Sequence, residues 1–295
     1  SNALIKKLEK KVKEKYYRAR NILMHRLVNE IPVKEESLHR YFSADHYYGA
    51  IVRLNGLPSR YGERTGREIF SDINELMLAY GRDSQETLYL CPEELVCDGD
   101  FQQIMERRIG KEQPSAAYVT TIIQSRSVPV SQIGEMVRGL YRMLDSSIIL
   151  GKSQTLVMED PGKESVGKVQ DRDYEYLEEL EYFAQNQKYD RLQKDTEDLI
   201  RKWTAQEKPQ IWIEARLRQI AYLLQRYEAG NRDYREAEFL MDDIFSSAEN
   251  VDQLCCGISD IFFKNMPEEN TGSQKVNTEE YFQSVKDYVK KHMAE

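Results

Sequence analysis

The chain has 295 residues, 40% of them hydrophobic, which is enough for about two domains with real cores. Its net charge of −8 argues against nucleic-acid binding by this chain alone, and because it has neither an apolar run of roughly 18 residues nor a recognisable signal peptide, we expect no membrane contact. Four cysteines do not form a disulfide framework in a chain of this size, which favours reduced thiols and a cytoplasmic location.

The first predicted element is a basic helix within a leading segment, residues 1–32, that opens with Ser1-Asn2-Ala3, typical of a tag remnant. Residues 1–30 hold nine Lys or Arg against three Glu, a net of +6, so the remainder carries −14. Pro32 ends the helix.

One side of this helix carries an apolar stripe at nearly heptad spacing, for less than two heptads. Its members are Leu4, Leu8, Val12 and Tyr16. We expect these residues to mediate an interaction, with a homodimer as the first candidate. A solvated helix face is the plainer alternative, and contact with DNA, an anionic membrane surface or the acidic body of the protein stays open.

Strand and helix patterns then alternate over a predicted domain, residues 33–160. Short runs rich in β-branched residues predict strands at 47–54, 87–91, 95–97, 116–124 and 154–158. Amphipathic periodicity predicts helices at 66–80, 101–109 and 133–150, the last capped by Ser131 and ended by Gly151. This order is typical of a ferredoxin-like fold, an antiparallel sheet with helices on one face.

After a polar linker the pattern becomes entirely helical over a second predicted domain, residues 173–265. A further link leads to an amphipathic helix at 278–295, whose stripe is Phe282, Val285, Val289 and Met293. This helix either docks on its own domain or connects to a domain beyond. The predicted fold class is therefore α+β, a ferredoxin-like sandwich followed by an all-α domain.

No stretch of the sequence carries a convincing catalytic motif. The carboxylates near residues 93–100 lack the spacing of a Ca²⁺ loop, and Cys91 and Cys97 have no further zinc ligands nearby in sequence. No glycine-rich phosphate loop is present. We therefore predict no catalytic, cofactor-binding or metal-binding residues, and a protein that is not an enzyme.

In its order of elements the whole chain resembles the central region of an AraC-family transcriptional regulator of the YesN type. The matching stretches are LIKKLEKKVKEKYYRARNILMHRLVNE, YYGAIVRLNG, AAYVTTIIQSRSVPVSQIGEMVRGLYRMLDSSIILG, DYEYLEELEYFAQNQKYDRLQKDTEDLIRKW and VKDYVKKHMAE. The first is similar to the helix that leaves a receiver domain, and the last to the helix that enters the first helix-turn-helix motif.

This resemblance implies a regulatory segment that couples an upstream signal to DNA binding. The upstream module would be a receiver served by a cognate sensor histidine kinase, or a membrane-anchored sensor. DNA would be bound only through a C-terminal helix-turn-helix domain that is absent from this chain.

The middle domain also resembles a degenerate diguanylate-cyclase (GGDEF) palm. In active members a carboxylate at the end of the first strand holds Mg²⁺, where this sequence has Arg53 or Asn55. The glycine-rich hairpin of that family is replaced by Cys91-Pro92-Glu93-Glu94-Leu95. A cationic or neutral residue cannot replace a carboxylate ligand, so the resemblance implies an inactive module. A small-molecule sensor and a vestigial cyclase are the alternative functions.

Overall fold

A computed structural model of the chain describes residues 2–61, 67–68, 78–96, 100–112, 116–159, 175–227, 234–264 and 266. These residues form a mixed β-sheet with α-helices packed against it, so the α+β class is confirmed. The predicted helix at 278–295, with Phe282, Val285, Val289 and Met293, lies outside the described residues.

The described helices begin with a long leading helix and end with a series of consecutive helices. They are α1 Asn2–Val28, α2 Glu35–Tyr41, α3 Phe101–Glu112, α4 Ile133–Ser147, α5 Glu175–Gln185, α6 Tyr189–Ala205, α7 Gln210–Tyr227, α8 Tyr234–Ser247 and α9 Val251–Phe263. The strands are β1 His46–Leu54, β2 Arg67–Glu68, β3 Leu78–Gly81, β4 Glu86–Pro92, β5 Val119–Gln124, β6 Val128–Pro129 and β7 Gln154–Met158.

Strand β1 lies at the centre of the sheet, whose order is β2-β3-β4-β1-β5-β7, with β6 paired to β1. Ala50 in β1 lies opposite Tyr89 of β4 and Ile123 of β5, and both pairings are antiparallel. Strands β5 and β7 are parallel because α4 crosses over between them. The prediction of a purely antiparallel sheet is therefore wrong at this pair.

Both faces of the sheet are covered. Ile51, Leu88 and Ile122 share one core with α4 and the C-terminal half of α1. Ala50, Val52 and Tyr89 point the other way, toward Phe101 and Met105 of α3. Side chains alternate between faces along a strand, and both alternating sets here are apolar, so each face needs a cover. The prediction of helices on one face is corrected accordingly.

The helices α5–α9 extend the core on the α4 side without a break. Trp203, Leu217, Ile258 and Phe245 belong to the same buried cluster as Leu140 and Leu144 of α4. The predicted series of consecutive helices is confirmed within the described residues 175–227 and 234–264. A continuous apolar core means that the sheet and these helices stabilise each other.

Three local predictions are wrong. The helix predicted at 66–80 is contradicted near both ends, where residues 67–68 and 78–81 form strands β2 and β3, and β3 pairs with β4. The rest of the predicted helix lies outside the described residues. Leu95, the first residue of the strand predicted at 95–97, instead ends a 3-10 turn, Glu93–Leu95, and Cys97 lies outside the described residues. Ser131 lies within a 3-10 turn, so Gln132 precedes α4 without a side-chain cap, and α4 ends at Ser147 before the turn that contains Gly151.

Candidate coupling interface

The segment after β1 is attached to the end of α8 through its backbone. The Leu57 N–H donates to the carbonyl oxygen of Phe245 at 2.9 Å. The preceding residue must be glycine, because a Cβ on Gly56 would lie 1.9 Å from that same oxygen. Asn55 adopts a left-handed φ of 56°, a region that Asn tolerates better than most residues, and this turns the chain toward α8.

A buried carboxylate on α8 holds the next two residues of this segment. Asp242 is 5% exposed. It accepts from the Ser59 hydroxyl at 2.6 Å and from the Arg60 N–H at 2.9 and 3.1 Å. Hydrogen bonds to a charged acceptor are stronger than those between neutral groups, so Asp242 holds residues 59 and 60 firmly against α8.

Charged side chains extend the same attachment to α7. The Arg60 guanidinium donates to Glu214 of α7 at 2.9 Å, and Arg218 binds the other oxygen of Glu214 at 2.9 Å. Arg218 also forms an ion pair with Glu238 of α8. One network therefore joins the segment after β1 to two consecutive helices.

A second bridge to the helices starts just before β5. The Tyr118 hydroxyl donates to the Ala248 carbonyl oxygen at 3.2 Å and accepts from the Gln210 side-chain amide at 2.6 Å. The Gln210 backbone N–H donates to the Ile148 carbonyl oxygen at 2.7 Å. Burial raises the pKa of Tyr118 from its ordinary value of 10.0 to about 12, so the hydroxyl keeps its role as donor well into alkaline solution.

A separate group of charged side chains, largely buried, lies between the sheet and α4, and we call it the buried layer. Arg53 in β1 is 1% exposed and donates to the Gly56 carbonyl oxygen at 2.6 Å. It also contacts Glu86 of β4 at 3.1 Å. Arg82 contacts Glu86 and, on α4, Asp145, each at 2.7 Å. The layer therefore connects two strands to α4 through paired charges.

These charges hold one another in the ionised state. Burial alone would raise the pKa of Glu86, but the charge and hydrogen bonds of Arg82 and the charge of Arg53 lower it below its ordinary value. Burial alone would lower the pKa of Arg82, but its hydrogen bonds to Asp145 and the charge of Glu86 raise it. Because Arg53 pairs with Glu86 inside the protein, its role is that of a structural salt bridge.

The predicted stripe on the leading helix is only partly free. Leu8 and Val12 are 55% and 66% exposed, and Ile5 beside them is 50% exposed. We call these three residues the α1 stripe. Tyr16, in contrast, packs against the ring of Tyr41 in α2 at 5.4 Å, and the side chain of Leu4 lies outside the described residues.

The C-terminal half of the same helix has the opposite character. It is embedded in the main core through Leu23, Met24, Leu27 and Val28, each no more than 5% exposed. At 100° per residue, these side chains are centred about a quarter-turn away from the α1 stripe. The helix thus has two separate apolar faces, of which the structure covers one.

The remaining sequence candidates do not converge on a chemical site. Within the part of the chain that the structure describes, no group of three or more His, Cys, Asp or Glu is placed to hold a metal ion. Glu93 accepts from Ser127 at 2.8 Å, and Cys91 is buried, which raises its pKa to about 11. None of the described helices combines the length and apolarity needed to cross a bilayer.

A groove of about 230 Å³ lies between α5 and α6. Its charged lining residues are Glu179, Arg191, Asp195, Asp198 and Lys202. Arg191 and Asp195, one turn apart on α6, form an ion pair at 3.1 Å on the α6 side of the groove.

No protein-family model matches the chain, and no curated protein or solved structure is detectably similar to it.

Sequence reasoning missed most of this interface. The sequence did contain one sign of the buried layer, because Arg53 and Glu86 are charged residues within the otherwise apolar strands β1 and β4. Asp242, Tyr118 and Gln210 carry no local signal, because their partners lie 92 to 183 residues away in the chain.

Proposed function

We propose that this chain is the regulatory, signal-coupling segment of a bacterial AraC-family transcriptional regulator. It passes an upstream signal to a C-terminal helix-turn-helix domain outside this chain. The observation that supports this most is the division of α1, whose C-terminal half is built into the core while its N-terminal half presents the α1 stripe to solvent. A helix with one end held and the other exposed suits a signal input.

The route for the signal follows the contacts of the interface. Helix α1 packs on α4, and α4 is tied to β1 and β4 through Asp145, Arg82 and Arg53. The segment after β1 then holds α7 and α8 through Arg60 and its partners. In this proposal a displacement of α1 alters the helical series, which presents the DNA-binding domain.

The proposed partners follow from the same function. The chain associates with itself through the leading helix, receives its signal from a receiver domain served by a cognate sensor histidine kinase, and reaches DNA only through the helix-turn-helix domain. We also propose that the mixed sheet is a degenerate, catalytically inactive GGDEF-like domain. The use of Arg53 in a buried salt bridge supports this, since a cation cannot take the place of a Mg²⁺ ligand.

The test uses the full-length protein with and without its signal. Asp242→Asn loosens the interface, so we expect signal-dependent transcription to fall while operator binding by the DNA-binding domain is retained. Asp260→Asn, at an exposed position on the adjacent helix α9, is the matched control and leaves the response unchanged. A full-length sequence without a helix-turn-helix domain, or an unaltered response in the Asp242 variant, overturns the proposal.

The groove between α5 and α6 favours small-molecule sensing as a second candidate, since its volume suits a small ligand and its lining carries both charge signs. A thermal-shift screen with nucleotides, amino acids and sugars tests this. A hit that Lys202→Ala removes would support a sensor, and a screen without hits would count against one.

A further inference from the structure

The α1 stripe lies in a strongly basic stretch of helix. Its exposed charged side chains include Lys6, Lys7, Lys10, Lys11 and Lys15 against Glu9, and at 100° per residue Lys11 and Lys15 border the stripe on one side and Glu9 on the other. Two such stripes placed face to face would bring like charges together, which is destabilising. The stripe is also narrow and aliphatic, as in a helix–helix seam, and lacks the large aromatic side chains that favour a bilayer. These features favour an acidic helix as the binding partner of the α1 stripe.

Helix α8 offers such a face. Phe239 and Leu240 on it are 52% and 44% exposed, although the ring of Tyr61 touches Phe239 with centroids 4.3 Å apart. Glu236 and Asp243 are exposed on the same side, since they lie three or four residues from the two apolar positions. We call these four residues the α8 face. Apolar side chains accompanied by carboxylates complement the α1 stripe and its lysines.

We propose that the α1 stripe of one copy of this chain packs on the α8 face of a second copy. A twofold axis makes the arrangement reciprocal, so both stripes and both faces are covered and the assembly closes as a dimer. The inference rests on the proposed function, in which the chain associates through its leading helix, and it names the surface that receives that helix.

The pairing would place the input helix directly on the coupling interface. Asp242 and Phe245, which hold the segment after β1, lie on the same helix as the α8 face. Arrival or departure of the partner's stripe would therefore act on α8 at the point where the sheet is attached.

The experiment measures the mass of this chain by sedimentation equilibrium with paired charge reversals. Lys11→Glu with Lys15→Glu alters α1, and Glu236→Lys with Asp243→Lys alters α8. Each double variant alone is expected to raise the dimer dissociation constant at least about tenfold. An equimolar mixture of the two is expected to regain dimerisation, because each reversed helix then meets a reversed partner. Glu178→Lys with Glu179→Lys, an equal charge change on α5, is the control and has no effect.

Salt dependence separates this pairing from α1–α1 contact. Added salt between about 0.05 and 0.5 M weakens the α1–α8 pair and strengthens a pair of basic helices, because it screens attraction in one and repulsion in the other. A wild-type mass that stays monomeric, an α8 variant that dimerises normally, or a mixture that fails to recover overturns the inference. None of these outcomes bears on the Asp242 transcription test, so failure here is distinguishable from failure of the proposed function.

Discussion

A Cβ atom on Gly56 would lie 1.9 Å from the carbonyl oxygen of Phe245. The backbone after β1 therefore approaches the backbone of α8 with no side chain between them. At this point the distance between sheet and helix is set by main-chain atoms and by the hydrogen bond from Leu57.

Gly56→Ala is expected to destabilise the protein by about 1–3 kcal/mol, because backbone atoms must separate to admit the methyl group. Urea denaturation followed by circular dichroism measures the loss. Gly134→Ala in α4 is the matched control, since its Cβ would make ordinary contacts with Leu27 of α1 at 3.6 Å and with Arg138 at 3.7 Å. There the gain in helix propensity is expected to stabilise by roughly 0.5–1 kcal/mol. Equal effects of the two substitutions would contradict the close approach.

Asp242→Asn is expected to cost about 1.5–3 kcal/mol of unfolding free energy, since a charged acceptor of the Ser59 and Arg60 donors is lost in a buried position. Chemical denaturation at pH 7 gives the value. Asp243→Asn changes the same charge at an exposed site of the same helix and should lie within about 0.5 kcal/mol of wild type.

Arg53→Met is expected to destabilise by about 3 kcal/mol, the lower end of the range for breaking a buried ion pair, because Glu86 loses one cation but keeps Arg82. Lys152→Met serves for comparison. Its pair with Glu207 is largely exposed, so the change should be below about 1 kcal/mol. A small effect at Arg53 would show that the buried layer contributes little to stability.

Cys91 is expected to make stability fall in alkaline solution. Burial raises the pKa of its thiol from an ordinary value of 9.0 to about 11. The unfolded chain therefore loses this proton before the folded chain does. The contribution is complete below about pH 9 and disappears as the pH rises through about 11. The stability difference between wild type and Cys91→Ala should shrink over this interval. Cys256→Ala, at an exposed thiol, should keep the wild-type pH profile.

The sheet was predictable where local pattern and tertiary pairing agree. Strand β7 occupies the same residues that its β-branched run predicts, 154–158, and β4 differs from prediction by one residue at each end. Residues 78–80 were misassigned because hairpin pairing with β4, between residues 8 to 12 apart in sequence, overrides the helical periodicity of the apolar residues.

The surfaces proposed to carry the function were less predictable from sequence than the strands. Leu8 and Val12 of the α1 stripe were visible from spacing alone, although Ile5 was not among the predicted residues and the packing of Tyr16 on Tyr41 was not foreseen. The coupling interface was invisible because Tyr118, Gln210 and Asp242 act through partners that only the fold brings near. Such contacts leave no periodic trace in a sequence.

The division of α1 also limits which movements can reach the core. Rolling the helix about its own axis would pull Leu23 and Leu27 out of the core, which costs several kcal/mol. Tilting about the buried end keeps these side chains in the core and loosens instead the ring contact of Tyr16 with Tyr41, which is worth about 0.5–1.5 kcal/mol. From Leu23 to Ile5 the helix extends for about 27 Å, so a tilt of about 10° moves its tip by about 5 Å. A small rearrangement where α1 packs on α4 is therefore coupled to a large displacement of the N-terminal end of α1. A fluorophore pair with one label near each end of the helix would report on this motion.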